Sequence, residues 1–145
     1  MVYPIWELGV RKNQRMSIVL IDLDWFKQIN DEFGHDAGDG VLELVAKTIK
    51  ARARSSDLVF RWGGEEFLLF LPDTSVSDAK ALAETLRLSV KEVTSESITT
   101  VTTSIGVAAF NAQESGGTKI EGLIKVADKA LYVAKQKGRN CVVVG

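Results

Sequence analysis

The residues best suited to chemistry stand at positions 61–67, in the run Arg-Trp-Gly-Gly-Glu-Glu-Phe between two apolar segments. This pattern predicts a β-hairpin in which Gly63 and Gly64 form a two-residue turn with positive φ. Such a turn fixes Glu65 and Glu66 on a sheet, and the missing side chains let a ligand approach the backbone. Adjacent carboxylates repel each other, so a bound cation would stabilise them. The alternative is a tight hairpin with solvated acids.

A second acidic pair, Asp22 and Asp24, follows a continuous apolar run that predicts a buried strand. In α/β sheets, ligands bind in the crevices where such strands end. If Asp22 and Glu65 lie on neighbouring strands, their oxygens can share a Mg²⁺ that also binds phosphates. Lys27 follows one turn later and would neutralise phosphate charge near a helix start. Alternatively, Asp24 and Asp31 cap the following helix.

Composition favours one soluble domain. The chain has 145 residues, of which 46% are hydrophobic, and a net charge of −1. The chain has no excess of basic residues of the kind that indicates nucleic-acid binding. Cys141 is the only cysteine, which excludes an internal disulfide and suits a reducing compartment. No apolar run approaches the roughly 18 residues that span a bilayer, so we expect a cytoplasmic domain without membrane contact, standing alone or as part of a larger regulator.

The spacing of apolar residues predicts a mixed sheet covered by helices, in the α/β (α+β) class. The expected order is strand, two helices, hairpin, helix, strand, helix and strand. The expected ranges are a strand at 17–21, helices from 25 to 33 and from about 40, the hairpin closed at 72–73, a helix at 77–93, a strand at 98–110 with Gly106 as a bulge, a helix at 120–134 capped by Gly138, and a strand at 142–144.

These motifs resemble the GGDEF family, the diguanylate cyclases, in its Gly-Gly-Glu-Glu-Phe form. The resemblance covers residues 16–144, since positions 22–30, 34–39 and 130–140 also match family segments in order and spacing. It implies a single GGDEF domain over residues 1–145, with a ferredoxin-like core similar to the palm of nucleotide cyclases and polymerases. It also implies a metal-dependent nucleotidyltransferase that condenses two GTP into cyclic di-GMP and releases two pyrophosphates.

By resemblance, the metal ligands are Asp22, the backbone carbonyl of Leu23, and Glu65, and the metal is Mg²⁺ or Mn²⁺. Glu65 would also help deprotonate the attacking 3′-hydroxyl. Glu66 would support the metal site. Lys27 would contact phosphate and assist catalysis.

The remaining substrate contacts are also implied by the family pattern. Asn30 and Asp39 would read guanine, because a carboxylate accepts both the N1–H and the exocyclic amine of guanine, a pairing that adenine cannot offer. Alternatively, Asp39 is the N-cap of a helix starting near residue 40. His35 is a structural or substrate-lining residue. Phe26 would line the base pocket, the two glycines of the signature would approach the substrate, and Lys135 and Arg139 would bind phosphates. The alternative for Lys135 is to complement the helix dipole.

An Arg-x-x-Asp pattern formed by Arg54 and Asp57 matches the family's product-inhibition site. Arginine binds the guanine edge or phosphate well, whereas a surface salt bridge is the ordinary alternative. Some family members have an arginine where this chain has Thr85, which predicts weak product inhibition. The family's usual opening segment has no match in residues 1–14, which indicates either a truncated or a divergent N-terminus.

The expected partners are GTP, cyclic di-GMP as product and inhibitor, a second copy of the domain in a transient antiparallel homodimer, and a regulatory domain. A symmetric product requires two facing sites. The main alternative is a catalytically silent sensor that binds GTP or cyclic di-GMP, although such a sensor needs no metal site. An adenylyl-cyclase-like enzyme is disfavoured by Asn30 and Asp39.

Overall fold

The computed structural model describes residues 9, 14–111 and 119–145, and the expected order of elements is confirmed throughout them. The segment 1–14, expected to be truncated or divergent, lies outside these residues except for Gly9 and Gln14. The elements are β1 (Arg15–Leu23), α1 (Phe26–Phe33), α2 (His35–Arg52), β2 (Leu58–Arg61), β3 (Glu66–Leu71), α3 (Val76–Thr94), β4 (Thr103–Asn111), α4 (Ile120–Gln136) and β5 (Cys141–Val144).

The strands form one mixed sheet in the order β2-β3-β1-β4-β5. Strand β1 is central and pairs antiparallel with both β3 and β4, whereas β5 pairs parallel with β4. A parallel neighbour requires a crossover, and α4 supplies it. The β1–β4 portion has the ferredoxin-like arrangement, so the predicted fold class is confirmed.

Alternate residues of β1 enter two separate cores. Val19, Ile21 and Leu23 pack with α1, α2 and α3 on one face of the sheet, whereas Met16, Ile18 and Leu20 pack with α4 on the other. Full burial of each such side chain contributes about 1.5–3 kcal/mol. The alternation continues to the end of β1 and therefore directs Asp22 to the α4 face.

The hairpin turn differs from its prediction. The paired strands stop at Arg61 and Glu66, so the connection is longer than two residues. Among the described residues, the glycines with positive φ are Gly34 and Gly138, and Gly63 and Gly64 are not among them. The backbone N–H groups of Trp62 and Gly63 both donate to the Glu66 carbonyl, at 2.8 and 3.3 Å. The predicted primed turn is therefore wrong, because these bonds close a wider loop.

Two other local expectations are wrong. Helix α2 begins at His35, so Asp39 lies within the helix and is not its N-cap. Strand β4 begins at Thr103 and its register with β1 has no bulge at Gly106. Gly106 instead permits a close approach of α4, because a Cβ there would lie 2.5 Å from the Leu131 nitrogen. The glycine reflects helix–sheet packing, which sequence spacing does not reveal.

Candidate functional site

A pair of carboxylates stands at the rim of the sheet. Asp22, near the end of β1, is the register partner of Glu66 at the start of β3. Directly opposite residues project to the same face of a sheet, so both acids face α4. Burial raises the pKa of Asp22, and burial followed by repulsion from Asp22 raises the pKa of Glu66. The two ionised groups therefore lack sufficient compensating positive charge.

Two cations from the end of α4 and the turn after it oppose these acids. Lys135 Nζ donates to Asp22 Oδ2 at 2.6 Å, and the charges of both Lys135 and Arg139 lower the pKa of Asp22 without overcoming the effect of burial. Lys135 also lowers the pKa of Glu66, whereas Asp128 raises it. The structure thus brings together the strand-end acids and the basic residues near the C-terminus.

Glu65 directly precedes β3. Its carbonyl accepts the Leu23 N–H at 3.2 Å, which joins the hairpin to the end of β1. The sequence assigned Glu65 to the metal and Glu66 to a supporting role. The register, however, places Glu66 rather than Glu65 opposite Asp22.

The tip of the hairpin is held by Arg61. Its Nε and Nη2 atoms donate to the Gly64 carbonyl at 3.2 and 2.6 Å. A Cβ on Gly63 would lie 3.1 Å from Glu66 Oε2, whereas a Cβ on Gly64 would meet no atom within 4 Å. Gly64 also lacks positive φ, so the described part of the chain does not itself require glycine there. Arg61, two residues before the first glycine of the signature, was not among the predicted site residues.

One interpretation of the sequence made Asp24 a cap of the following helix, and that interpretation is wrong. Asp24 is 3% exposed. Its carboxylate accepts hydrogen bonds from Thr102 Oγ1, Ser104 Oγ and the Asn140 N–H, at 2.7, 2.6 and 3.0 Å. The N-cap of α1 is Trp25 and that of α2 is Gly34, neither with a side-chain cap bond, so Asp31 is not a cap either. No local sequence signal reveals the partners of Asp24, which are about 80 or more residues away in the chain.

The residues expected to read the base lie around α1 and α2. Asn30 Oδ1 is buried and has no hydrogen-bond partner among the described residues. It lies against Phe26 and Gly38. A Cβ on Gly38 would overlap Asn30 Oδ1 and would lie 3.2 Å from the Phe26 ring. A buried unpaired amide oxygen is costly unless a ligand completes its bonding. Asn30 therefore keeps unused hydrogen-bonding capacity beside Phe26.

Asp39 lines a cavity of about 460 Å³ between α2 and the hairpin. The cavity wall also includes Leu42, Lys50, Arg61 and Phe67 but, within the described residues, not Asn30. His35 is exposed at the first position of α2. The structure therefore keeps Asp39 open to a ligand, on a helix adjoining the signature hairpin.

The remaining predicted contacts involve Lys27, Arg54 and Asp57. Lys27 is exposed in the first turn of α1. Arg54 donates to Asp57 Oδ1 at 3.2 Å, to the Pro72 carbonyl at 3.1 Å and to the Thr74 hydroxyl. The Asp57 side chain is 0% exposed and that of Arg54 is 56% exposed. The predicted pair is thus brought together as a salt bridge, with part of the arginine available to a ligand.

The donor set fits a hard divalent cation. Within the described residues, no three His, Cys, Asp or Glu side chains form a cluster that could hold a metal ion. Two strand-end carboxylates with raised pKa values nevertheless offer the oxygen ligands that Mg²⁺ prefers, and Mg²⁺ ordinarily completes its shell with water and substrate phosphates. The residues therefore fit a metal that arrives with, or is completed by, a nucleotide. No helix in the same described ranges is long and apolar enough to cross a bilayer.

The chain matches a known protein family over most of its length. Residues 4–141 match a family model described as "Diguanylate cyclase, GGDEF domain". The chain is 51% identical over 145 residues to diguanylate cyclase DgcM of Escherichia coli, covering 97% of this chain and 34% of the relative. It is 47% identical to diguanylate cyclase A of Treponema denticola, covering 99% of this chain and 38% of the relative. The chain thus spans about a third of the length of these curated relatives.

Solved structures agree with the fold. The active GGEEF domain of a diguanylate cyclase from Vibrio cholerae superposes with a TM-score of 0.90 at 35% identity, covering 97% of this chain and 89% of that chain. The GGDEF domain of DgcB from Caulobacter crescentus, solved in complex with c-di-GMP, gives a TM-score of 0.86 at 31% identity, covering 97% and 84%. A third similar structure is diguanylate cyclase SiaD from Pseudomonas aeruginosa in complex with its activator SiaC, with a TM-score of 0.90 at 37% identity, covering 99% and 55%.

Proposed function

The chain belongs to the GGDEF family, and on that premise we propose that it is a diguanylate cyclase that joins two GTP molecules into cyclic di-GMP. The observation that carries this proposal is the pair formed by the buried Asp22 and the partly buried Glu66, which faces Lys135 at the rim of the sheet. A pure binding module has no need of two carboxylates that repel each other in a partly buried position. This arrangement suits a metal-dependent phosphoryl transfer.

Asp22, Glu66, Glu65 and the Leu23 carbonyl are the oxygen donors available for a divalent cation. When bound, Mg²⁺ or Mn²⁺ supplies positive charge that polarises the phosphate oxygens. Lys135 and Arg139 stabilise negative charge on the triphosphate. Their charges already act on Asp22, so both lie close to the proposed metal donors. Lys27 provides a further cation from the exposed first turn of α1.

The reaction forms one bond and breaks one bond in each half. The 3′-hydroxyl oxygen of one GTP attacks the α-phosphorus of the other, and the bond from that phosphorus to the bridging oxygen of the leaving pyrophosphate breaks. Glu65 accepts the hydroxyl proton as general base. The basic residues Lys135 and Arg139 stabilise the leaving pyrophosphate. A second, identical half closes the ring and releases the second pyrophosphate.

Base recognition falls to Asn30 and Asp39. Asn30 Oδ1 is buried without a partner in the described structure, and Asp39 faces an open cavity. Gly64, which the described part of the chain does not itself require to be glycine, would leave room for the nucleotide to approach the hairpin backbone. Phe26 and His35 line the approach.

The symmetric product requires a second copy of the domain, facing the first in antiparallel fashion, because one site cannot present both nucleophile and electrophile. We propose that the homodimer is transient and that a regulatory domain or partner controls its formation. The longer curated relatives and the activator-bound SiaD structure support such control. We further propose that cyclic di-GMP inhibits through Arg54 and Asp57, and that the domain works in the cytoplasm, where GTP is available.

The test is incubation with GTP and Mg²⁺, with the product identified by chromatography. We expect cyclic di-GMP and pyrophosphate from the wild type, at a specific activity that rises with protein concentration. Asp22→Ala and Glu65→Ala should each reduce turnover by at least about tenfold while the protein stays folded. Asp128→Ala is a matched control, because it removes a carboxylate near Glu66 that is not among the proposed donors. Binding of GTP without turnover, at any protein concentration, would favour the silent sensor.

A further inference from the structure

Asp24 joins three parts of the fold at one point. Its carboxylate, at the end of β1, accepts bonds from Thr102 just before β4, from Ser104 in β4, and from the backbone N–H of Asn140 just before β5. The Asp24 N–H itself donates to the Thr102 carbonyl at 2.9 Å. Because its partners come from both the start of β4 and the residue before β5, this carboxylate connects the turn between α4 and β5 to the rim of β1.

That turn has a backbone that needs such support. Arg139 and Asn140 have φ values of 66° and 47°, which are unfavourable for residues with a side chain. Arg87 of α3 adds a second tie, since its Nη1 donates to Asn140 Oδ1 at 2.9 Å. Asn140 is therefore held at two points, since its backbone N–H bonds to Asp24 and its side-chain oxygen bonds to Arg87.

The consequence concerns the orientation of Arg139. Its guanidinium carbon lies 4.2 Å from the centre of the Trp25 ring, and Trp25 directly follows Asp24 in the chain. A guanidinium stacked on an aromatic face is restricted in rotation and keeps its edge free to donate to an anion. The same guanidinium is close enough to Asp22 to lower its pKa, so the stacked side chain belongs to the rim of the candidate site.

We propose that Asp24 is a positioning residue that presets Arg139 for the triphosphate, by fixing the Arg139–Asn140 turn so that the guanidinium stacks on Trp25. This inference rests on the proposed function for the identity of the anion. Asp24 itself is buried and its oxygens already accept from three donors, so we assign it no contact with metal or substrate. Preorganisation of this kind lowers the cost of ordering a long side chain on binding.

Ser104→Ala is the decisive variant. It removes one donor to Asp24 and keeps every charge, whereas Asp24→Asn also removes a negative charge that acts on Asp22. Ser17→Ala is the matched control, because Ser17 is an equally buried strand serine whose hydroxyl donates to the Thr74 carbonyl at 2.9 Å, away from the Asp24 network. Both variants lose one buried hydrogen bond, so any common loss of stability is measured and subtracted.

Two measurements decide the proposal. In NMR spectra of the free protein, the Arg139 side-chain protons should show a ring-current shift from Trp25 that Ser17→Ala keeps and Ser104→Ala and Asp24→Asn reduce. In calorimetry, Ser104→Ala should raise the Kd for a non-hydrolysable GTP analogue several-fold, up to about the tenfold expected for one charge-assisted contact. The Kd for GMP, which lacks the β- and γ-phosphates, should change no more than in Ser17→Ala.

An unchanged Arg139 shift in both Asp24→Asn and Ser104→Ala would overturn the proposal. So would equal losses of affinity for the GTP analogue and GMP, since these would indicate general loosening of the fold. If the wild type binds no GTP analogue, the proposed function fails, and the Arg139 resonances of the free protein still decide whether Asp24 positions this side chain. Should Asp24→Asn fail to fold, Ser104→Ala against Ser17→Ala carries the test.

Discussion

Lys135 Nζ lies 2.6 Å from Asp22 Oδ2, an ion pair that connects the last turn of α4 to the end of the central strand. The Asp22 side chain is 8% exposed and that of Lys135 is 34% exposed. The lysine therefore compensates part of the charge of a buried carboxylate. It does not only complement the helix dipole, as one interpretation of the sequence allowed.

We expect Lys135→Ala to make the stability of the protein more dependent on divalent cations. Without the ammonium, the pKa of Asp22 should rise further, because its largest compensating neighbour is removed while burial remains. Melting temperature with and without Mg²⁺ measures the effect, and the Mg²⁺-induced rise should be larger in the variant than in the wild type. Lys129→Ala, which removes an exposed lysine from the same helix, is the control. Equal rises in all three proteins would contradict a shared role for Lys135 and the cation at Asp22.

The second prediction concerns choice of base. Asp39→Ala should weaken binding of GTP by about 1–3 kcal/mol and reduce the preference over ATP, because the bound base loses a hydrogen-bonding partner. Asp36→Ala removes the same charge from the first turn of α2 and should leave the preference unchanged. Calorimetry with both nucleotides separates the two variants. Unaltered discrimination in Asp39→Ala would show that Asp39 does not read the base.

The third prediction concerns pH. Burial, and then repulsion from Asp22, raises the pKa of Glu66 above its ordinary value of 4.5, so the folded protein binds this proton more readily than the unfolded chain. Stability associated with Glu66 is therefore complete below the unfolded pKa and is lost as pH rises through the folded pKa. Glu66→Gln should raise the free energy of unfolding at neutral pH, and this gain should disappear as pH falls to the ordinary glutamate value.

Urea denaturation over a series of pH values in metal-free buffer measures this dependence. Glu32→Gln, which changes an exposed glutamate of α1, is the control for loss of one charge. A Glu66→Gln protein that is less stable than the wild type at neutral pH would mean that Glu66 is stabilised by the site in its ionised form. The same variant should have lost turnover, since stability and function are expected to conflict at such a pair.

The fourth prediction concerns the product. Arg54→Ala should abolish binding of cyclic di-GMP. It should spare binding of GTP, because Arg54 lies in the loop before β2 and is not among the residues assigned to the GTP site. Arg52→Ala, at the exposed end of α2, is the control. Thr85→Arg should strengthen binding of cyclic di-GMP, since it restores the arginine found in some family members. Equal affinity of wild type and Arg54→Ala would leave Arg54 and Asp57 as a structural salt bridge only.

The fifth prediction concerns the hairpin tip. Arg61→Ala should lower turnover by about tenfold or more through loss of the paired contacts to the Gly64 carbonyl, which fix the backbone beside Glu65. Arg61→Lys keeps the charge but cannot reproduce the two-donor contact, so it should resemble the alanine variant. Full activity in Arg61→Lys would indicate that charge alone matters at this position.

The sequence by itself determined the order of the elements and the family. Continuous apolar runs before Asp22 and after Glu66, and the helical stripe that ends at Gly138, are local patterns whose period specifies strand or helix without knowledge of distant residues. The chemistry-bearing motifs were likewise contiguous, so the acids, the glycines and the basic residues near the C-terminus could all be named in advance.

Only the tertiary structure decided how these residues meet. The register of β1 with β3 places Glu66, not Glu65, opposite Asp22, and an offset of one residue is invisible to a motif but reverses the face on which a side chain lies. Gly106 proved to be a point of contact with α4, and Asp24 proved to be a tie to residues near positions 102 and 140. Such roles depend on pairings between segments far apart in the chain, which hydrophobic periodicity and local propensity do not encode.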